Sequence, residues 1–349
     1  MNRCTALLCP AVLFVLVGCM TAAMRAEEQD AVRQARAAAM KATLDGINKD
    51  LEKYGGGSWE KWGEANKAYR EAVSKLLTPE IKWPWPAKHN FAFQGSAIKL
   101  LLEDTLDARP DGERPFDAIA AFDKQLKARG IDLVFVPLPD KVCIYGDYLE
   151  AAANAPPKAP LCTAAKHLMK RLLEADVEVV DVYTPFLEYR EKHGDEAPLY
   201  YDRDSHWRNR AAQLAAEKIA ESLKRYDFVQ KALAQGNRYS TKTEFRKDKP
   251  DDIVVVLDAK TGKRYADVND SLILITGDSN LMYNMGPTGG HMPAQIARHI
   301  GLPLAFVAPA GGNAPEQIKG QLSGRRVVIW AVIARMLMGK WPAPAGAAQ

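Results

Sequence analysis

The sequence predicts an α/β fold built on a parallel sheet, and three observations predict it. Short apolar runs with β-strand character recur at Leu133–Val136, Val177–Val182, Leu272–Ile275, Leu304–Val307 and Val327–Val332. Helical patterns lie between them, at Phe116–Arg129, Thr163–Ala175, Arg210–Arg225 and Pro293–His299, and that alternation argues a parallel sheet covered on both faces. The third observation concerns the residues just after the runs. In an open α/β sheet chemistry collects beyond the carboxyl ends of the strands. Here those ends lead into Pro137 to Lys141, to Asp181, to Thr276-Gly277-Asp278-Ser279, to Ala308 through Asn313, and to Arg335.

The elements before the sheet differ in kind. Arg3 gives a short positive start, Ala6 to Gly18 is apolar but for Cys9 and Pro10, and charge begins at Glu27. This is the layout of a secretory signal over residues 1–26, with a run too short for a comfortable membrane span. Two processing outcomes fit. Leu16-Val17-Gly18-Cys19 resembles a bacterial lipoprotein box, which would lipidate Cys19, and the small residues near Ala23 and Ala26 suit ordinary cleavage. Both place the protein outside the cytoplasm, in the periplasm or beyond.

Export changes how the cysteines read. Cys143 and Cys162 remain after processing, and an even pair in an oxidising compartment is expected as a disulfide; two buried free thiols are the alternative. The formal charge of +4 falls to +2 once Arg3 and Arg25 are removed. No basic stripe is left to suggest nucleic acid.

Residues 27–82 read as a helical segment, broken at Gly55-Gly56-Gly57 and resumed from Trp59 to Leu77. Trp83-Pro84-Trp85-Pro86 stops any helix; these tryptophans read as packing residues or as a sugar-stacking platform. The main domain covers 83–340. It carries a less regular insert at about 236–269, where Ile253–Leu257, a turn at Lys260 to Lys263 and Arg264–Asp267 suggest a hairpin. The tail 341–349 is rich in Pro, Ala and Gly and is expected to be disordered.

Gly277-Asp278-Ser279 directly follows an apolar strand. The glycine allows a sharp turn that holds the serine clear of the sheet, and backbone N–H groups at the turn are candidate oxyanion donors. The second motif is Asp204-Ser205-His206-Trp207. A serine hydroxyl needs a base, histidine titrates in the right range, and a carboxylate on its other nitrogen fixes the tautomer. Two other readings fit these residues: a metal cluster of Asp202, Asp204 and His206, or a surface loop with a satisfied histidine.

Taken together, Asp204-Ser205-His206-Trp207 before a helix and a strand ending in Gly277-Asp278-Ser279 resemble the AlgJ/AlgX group of SGNH-hydrolase-like polysaccharide O-acetyltransferases. The resemblance runs through Arg129-Gly130-Ile131, Pro137 to Lys141, Val179-Val180-Asp181, Val328-Ile329-Trp330 and Arg335, covering about 85–340. It implies an SGNH-like sheet with permuted motif order, since Asp and His precede Ser. It implies Ser279 as nucleophile, His206 as base and Asp204 as its orienter, with no metal or cofactor. The implied activity moves acetyl onto hydroxyls of an exported, alginate-like polysaccharide, with acetyl supplied by a membrane-bound O-acyltransferase. Asn313 is a candidate oxyanion donor or an ordinary turn asparagine, Lys141 and Arg335 are candidate lining residues or structural ion-pair partners, and Tyr283 and Asn280 are candidates through proximity to Ser279. A secreted acetylesterase and a non-catalytic polysaccharide-binding assembly protein are the competing readings; the intact trio of Ser279, His206 and Asp204 speaks against the latter.

Overall fold

The computed structural model describes residues 10–77, 85–86, 88–247, 251–285, 289–307 and 311–344, with side chains from residue 29 onward except those of 85, 86 and 89. Trp83, the side chain of Trp85, the strand-end residues 308–310 and the end of the tail therefore lie outside the described residues. Among the described residues no helix is long and apolar enough to cross a membrane.

Three helices open the chain: α1 (Pro10–Gly55), α2 (Trp59–Ala65) and α3 (Lys67–Leu76). The break falls where the glycines predict it, because Gly56 and Gly57 both adopt positive φ, which glycine tolerates at no steric cost. Ser58 then caps α2, its hydroxyl accepting from the Lys61 N–H. The stretch from Trp59 to Leu77 is two helices rather than one. Asn66 interrupts it by clamping another segment: its amide donates to the Ala159 carbonyl and accepts from the N–H groups of Lys158 and Ala159.

A two-stranded ribbon, β1 (Trp85–Pro86) and β2 (Ala92–Phe93), leads through α4 (Gly95–Leu101) and α5 (Pro115–Lys127) into the sheet. There follow β3 (Asp132–Leu138), α6 (Lys141–Tyr145), α7 (Thr163–Glu174), β4 (Glu178–Val179), α8 (Tyr183–His193), α9 (Asn209–Leu223) and α10 (Asp227–Ala234). The insert supplies β5 (Tyr239–Arg246) and β6 (Asp251–Asp258). The chain ends with β7 (Ile273–Gly277), α11 (Ser279–Met282), α12 (Met292–Ile300), β8 (Ala305–Phe306), α13 (Ala314–Ile318) and β9 (Val327–Ile333).

All five predicted runs enter one sheet, ordered β4-β3-β9-β7-β8, and every pairing in it is parallel. Every residue of β9 and β7 is buried, on both faces, as a parallel sheet flanked by helices requires. The two edge strands are shorter than their apolar runs. At the β4 edge the reason is Asp181, whose carboxylate accepts from the N–H groups of Tyr183 and Thr184 and so turns the chain into α8. Arg36 of α1 covers that edge, pairing with Asp176 and Glu178.

The insert forms a hairpin, but with a different partner from the expected one. Ile253–Leu257 pairs antiparallel along its length with β5, whereas Arg264 makes only an isolated bridge to Leu257. The preceding Tyr239–Arg246 is mostly polar and exposed, with no apolar alternation by which to read it as a strand.

Cys143 on α6 and Cys162, the N-cap of α7, form a disulfide with their Cα atoms 5.5 Å apart. Breaking it with a Cys143→Ala/Cys162→Ala double substitution is expected to lower unfolding free energy by about 3 kcal/mol, the loop-entropy value for a crosslink of this span. Chemical denaturation of both proteins with and without reductant measures this, and a parent unaffected by reductant contradicts it.

Candidate active site

The register of the central strands brings the chemistry-bearing residues to one edge. Leu138 of β3 lies opposite Ile333 of β9, and Gly277 of β7 lies opposite Ala331. Lys141, Ser279 and Arg335 therefore follow three adjacent strand ends.

The turn after β7 is fixed by close packing. An ideal Cβ on Gly277 would sit 1.6 Å from the Ala331 carbonyl oxygen, so no side chain fits there. The sequence suggests that this glycine serves a sharp turn, but its φ is not positive and the requirement is steric approach to β9. Asp278 is buried beside it. One carboxylate oxygen accepts from the Ile333 N–H on β9; the other accepts from the Asn280 N–H at 2.8 Å and the Asn280 side-chain amide at 2.7 Å. The Asn280 N–H is thereby committed to Asp278. Ser279 starts α11 half-buried, its turn anchored on both sides.

The second half of the site comes from the loop before α9. A bridge between Tyr200 and Trp207 closes it, and the Tyr201 N–H donates to the His206 carbonyl. Trp207 is fully buried and its indole N–H donates to the Asn280 carbonyl at 3.1 Å, joining the loop to the Ser279 turn. His206 Nδ1 lies 2.7 Å from Asp204 Oδ1, and His206 Nε2 lies 2.9 Å from Ser279 Oγ. With the Asp204 carboxylate ionised it only accepts, so Nδ1 carries the ring proton and Nε2 is left to accept from the Ser279 hydroxyl. The same Asp204 oxygen accepts from the His206 N–H at 3.0 Å, locking the two residues together. Tyr283 lies over the imidazole, ring centres 4.6 Å apart and planes 15° from parallel. This arrangement can activate a hydroxyl for attack on an acyl carbon.

The metal reading assigns these side chains differently from their contacts. Asp204 and His206 bond one another and Ser279, while Asp202 lies 3.4 Å from the Arg208 guanidinium. Among the described residues no group of three or more His, Cys, Asp or Glu side chains could hold a metal ion. Asp202 thus does not share the part of Asp204.

The other expected site residues divide. Tyr283 is at the site. Lys141 is not a lining residue: it is buried under the 201–204 loop, its ammonium donating to main-chain carbonyls there. Burial pushes its pKa down to about 7, with the carboxylates of Asp202, Asp140 and Asp204 opposing the fall and Arg208 adding to it. Arg335 pairs with the buried Asp140 at 3.0 Å, which binds the end of β9 to the end of β3. Asn313 is exposed at the N-cap of α13, without a side-chain bond to any of the three central residues. Sequence reasoning gives Asp278 no part of its own; a carboxylate directly before a strand-end serine is the signal that could have marked it.

Residues 101–276, half of the chain, match a family model described as "SGNH hydrolase-like domain, acetyltransferase AlgX". No curated protein matches the sequence. Among solved structures, the O-acetyltransferase domain of Pseudomonas putida AlgJ is similar at 18% identity and a TM-score of 0.44, over 72% of this chain and 88% of that one. Pseudomonas aeruginosa AlgX is similar at 16% identity and a TM-score of 0.48, over 76% and 68%. A DHHW family protein from Eubacterium siraeum gives 15% and 0.40, over 67% and 88%.

This geometry can be tested at two points. Gly277→Ala is expected to destabilise the fold by at least the ~1–3 kcal/mol typical of an overpacked core, because the obstructing atom is backbone; unchanged thermal unfolding contradicts it. Ser279 is expected to form an adduct with an aryl sulfonyl fluoride, located by peptide mass spectrometry. Asp204→Asn should slow labelling by at least about 10²-fold, whereas Asp202→Asn should leave it essentially unchanged. Equal effects of the two substitutions would refute the pairing of Asp204 with His206 as the activating contact.

Proposed function

Because the chain belongs to the family of SGNH hydrolase-like domains typified by the AlgX acetyltransferase, we propose that it is an O-acetyltransferase of an exported, alginate-like polysaccharide. The single observation that carries the chemistry is His206 bridging Asp204 and Ser279 through its two ring nitrogens, at 2.7 and 2.9 Å.

In the first half-reaction Ser279 Oγ attacks the carbonyl carbon of an acetyl donor while its proton passes to His206 Nε2. The tetrahedral intermediate collapses, the donor oxygen leaves with that proton, and an acetyl ester remains on Ser279. In the second half a sugar hydroxyl gives its proton to Nε2 and attacks the ester carbon. Ser279 then departs as the alcohol, reclaiming the proton. His206 is imidazolium between the proton transfers, and the Asp204 carboxylate stabilises that charge while holding the ring in place. A positioned base of this kind supplies about 10²–10⁴-fold in rate. Tyr283, stacked on the imidazole, covers one face of the ring and limits its rotation.

The same reading sets the surroundings. A disulfide between Cys143 and Cys162 suits an oxidising compartment such as the periplasm, and the leader-like start of the sequence suits export. Acetyl groups would reach this site from a membrane-bound O-acyltransferase, and the acceptor is the polysaccharide in transit.

The purified protein is expected to form an acetyl-enzyme from an activated acetyl ester and to pass the group to an acidic oligosaccharide acceptor. Mass spectrometry reads both products. Free acetate as the sole product at every acceptor concentration would establish the esterase reading instead. Sugar affinity without turnover would establish the binding-protein reading. Turnover surviving in Ser279→Ala would remove the assignment of the nucleophile.

A further inference from the structure

The 201–204 loop turns its main-chain carbonyls toward the interior, where each oxygen needs a donor. One side chain meets three of them. Lys141 Nζ donates to the carbonyls of Tyr201 and Asp202, each at 2.5 Å, and of Asp204 at 3.2 Å. In its charged form the Lys141 ammonium has three N–H donors and no acceptor, and these three bonds use all of them. The residue is 2% exposed, with the faces of Phe91 and Phe93 4.4 and 5.7 Å from Nζ. Its backbone is equally constrained. Lys141 starts α6 two residues after Pro139 begins the turn out of β3, and the disulfide at Cys143 pins that helix to α7.

We infer that Lys141 is a positioning residue of the acyl-transfer site: its ammonium gathers the carbonyls of Tyr201, Asp202 and Asp204, and so aims the Asp204 carboxylate at His206. This rests on the proposed roles of Ser279, His206 and Asp204. The geometry favours it over general support of the fold. The bridge between Tyr200 and Trp207 already closes the ends of the loop, and Ala92 N–H already donates to the Asp202 carbonyl. What Lys141 adds is the bond to Asp204 itself, at the residue whose carboxylate lies 2.7 Å from the imidazole. A misplacement of about an ångström at a catalytic group costs on the order of 10²-fold in rate.

The test uses full-length protein and two readouts: turnover of an activated aryl acetate, and the low-field proton NMR resonance of the His206 Nδ1–H bonded to Asp204. Lys141→Met keeps the apolar stem and removes every donor. It is expected to lower kcat by about 10²-fold with KM changed by less than about twofold, and to abolish the low-field resonance. Lys141→Arg returns charge and donors, and should restore the resonance together with much of the lost kcat. A folded Lys141→Met protein that keeps its kcat and its resonance overturns the proposal. An Arg variant that recovers thermal stability but not the resonance overturns it as well, since Lys141 would then serve the fold alone. If Lys141→Met does not fold, the resonance of the Arg protein decides by the same criterion. The resonance is also recorded with Lys141→Arg and Lys141→Met placed in Ser279→Ala protein, so the loop geometry is judged without turnover. Activity surviving in Ser279→Ala alone would defeat the serine reading while leaving this structural result intact.

Discussion

The site depends first on the contact between the end of β7 and the centre strand β9. With no Cβ at position 277, the β7 backbone closes onto the Ala331 carbonyl. The next residue, Asp278, then reaches the Ile333 N–H two residues further along β9. A buried carboxylate is costly unless its oxygens are satisfied. Here both are, by one backbone donor from β9 and two donors from Asn280. The serine that follows therefore inherits its position from the sheet, whose strands β7 and β9 are buried at every residue.

His206, the proposed base, arrives by another route. His206 sits on a loop far from Ser279 in sequence, and only tertiary contacts bring them together. Trp207 makes the direct link, with its indole buried and bonded to the Asn280 carbonyl. Asn280 is thus used twice: its amide satisfies Asp278, and its carbonyl receives the loop that carries His206. A change at Asn280 would disturb both halves of the site at once, although its side chain has no direct bond to His206 or Ser279 among the described residues. Such sharing ties Ser279 and His206 to one residue, in a site where a misplacement of about an ångström would cost on the order of 10²-fold in rate.

How much of this the sequence discloses depends on the range of the forces involved. Central strands are legible because they are buried on both faces, leaving near-continuous apolar runs. Edges are less so: Val177–Val182 stops pairing after Val179 because Asp181 turns to cap the next helix. β5 escapes a reading of the sequence since its polar, exposed residues carry no alternation. Ser279, Asp204 and His206 are visible as two short motifs, each with local chemistry of its own. Lys141 and Arg335 do fall at strand ends, and each is held there by buried acceptors. Lys141 is held by carbonyls some sixty residues away, and Arg335 by Asp140 across the sheet. Nothing in a local pattern separates a strand-end cation that faces substrate from one that faces a buried acceptor. Asn313 has only a glycine-rich turn to recommend it, and an exposed N-cap position accounts for that turn.

The arrangement also explains why the order of motifs along the chain matters little to the chemistry. β9 is last in sequence but central in space, with β3 on one side and β7 on the other. β7 leads into Ser279, the proposed nucleophile, anchored through Asp278 to β9. β3 leads to Asp140 and Lys141; the first is paired with Arg335 after β9, and the second lies beneath the Asp204 loop. Both halves of the site are thus referenced to one strand, from opposite sides. A fold that locates Ser279 and the His206 loop against a shared central strand is indifferent to which of the two is encoded first. It requires only that the central strand be buried and paired on both edges, and β9 is buried at every residue and paired with both neighbours.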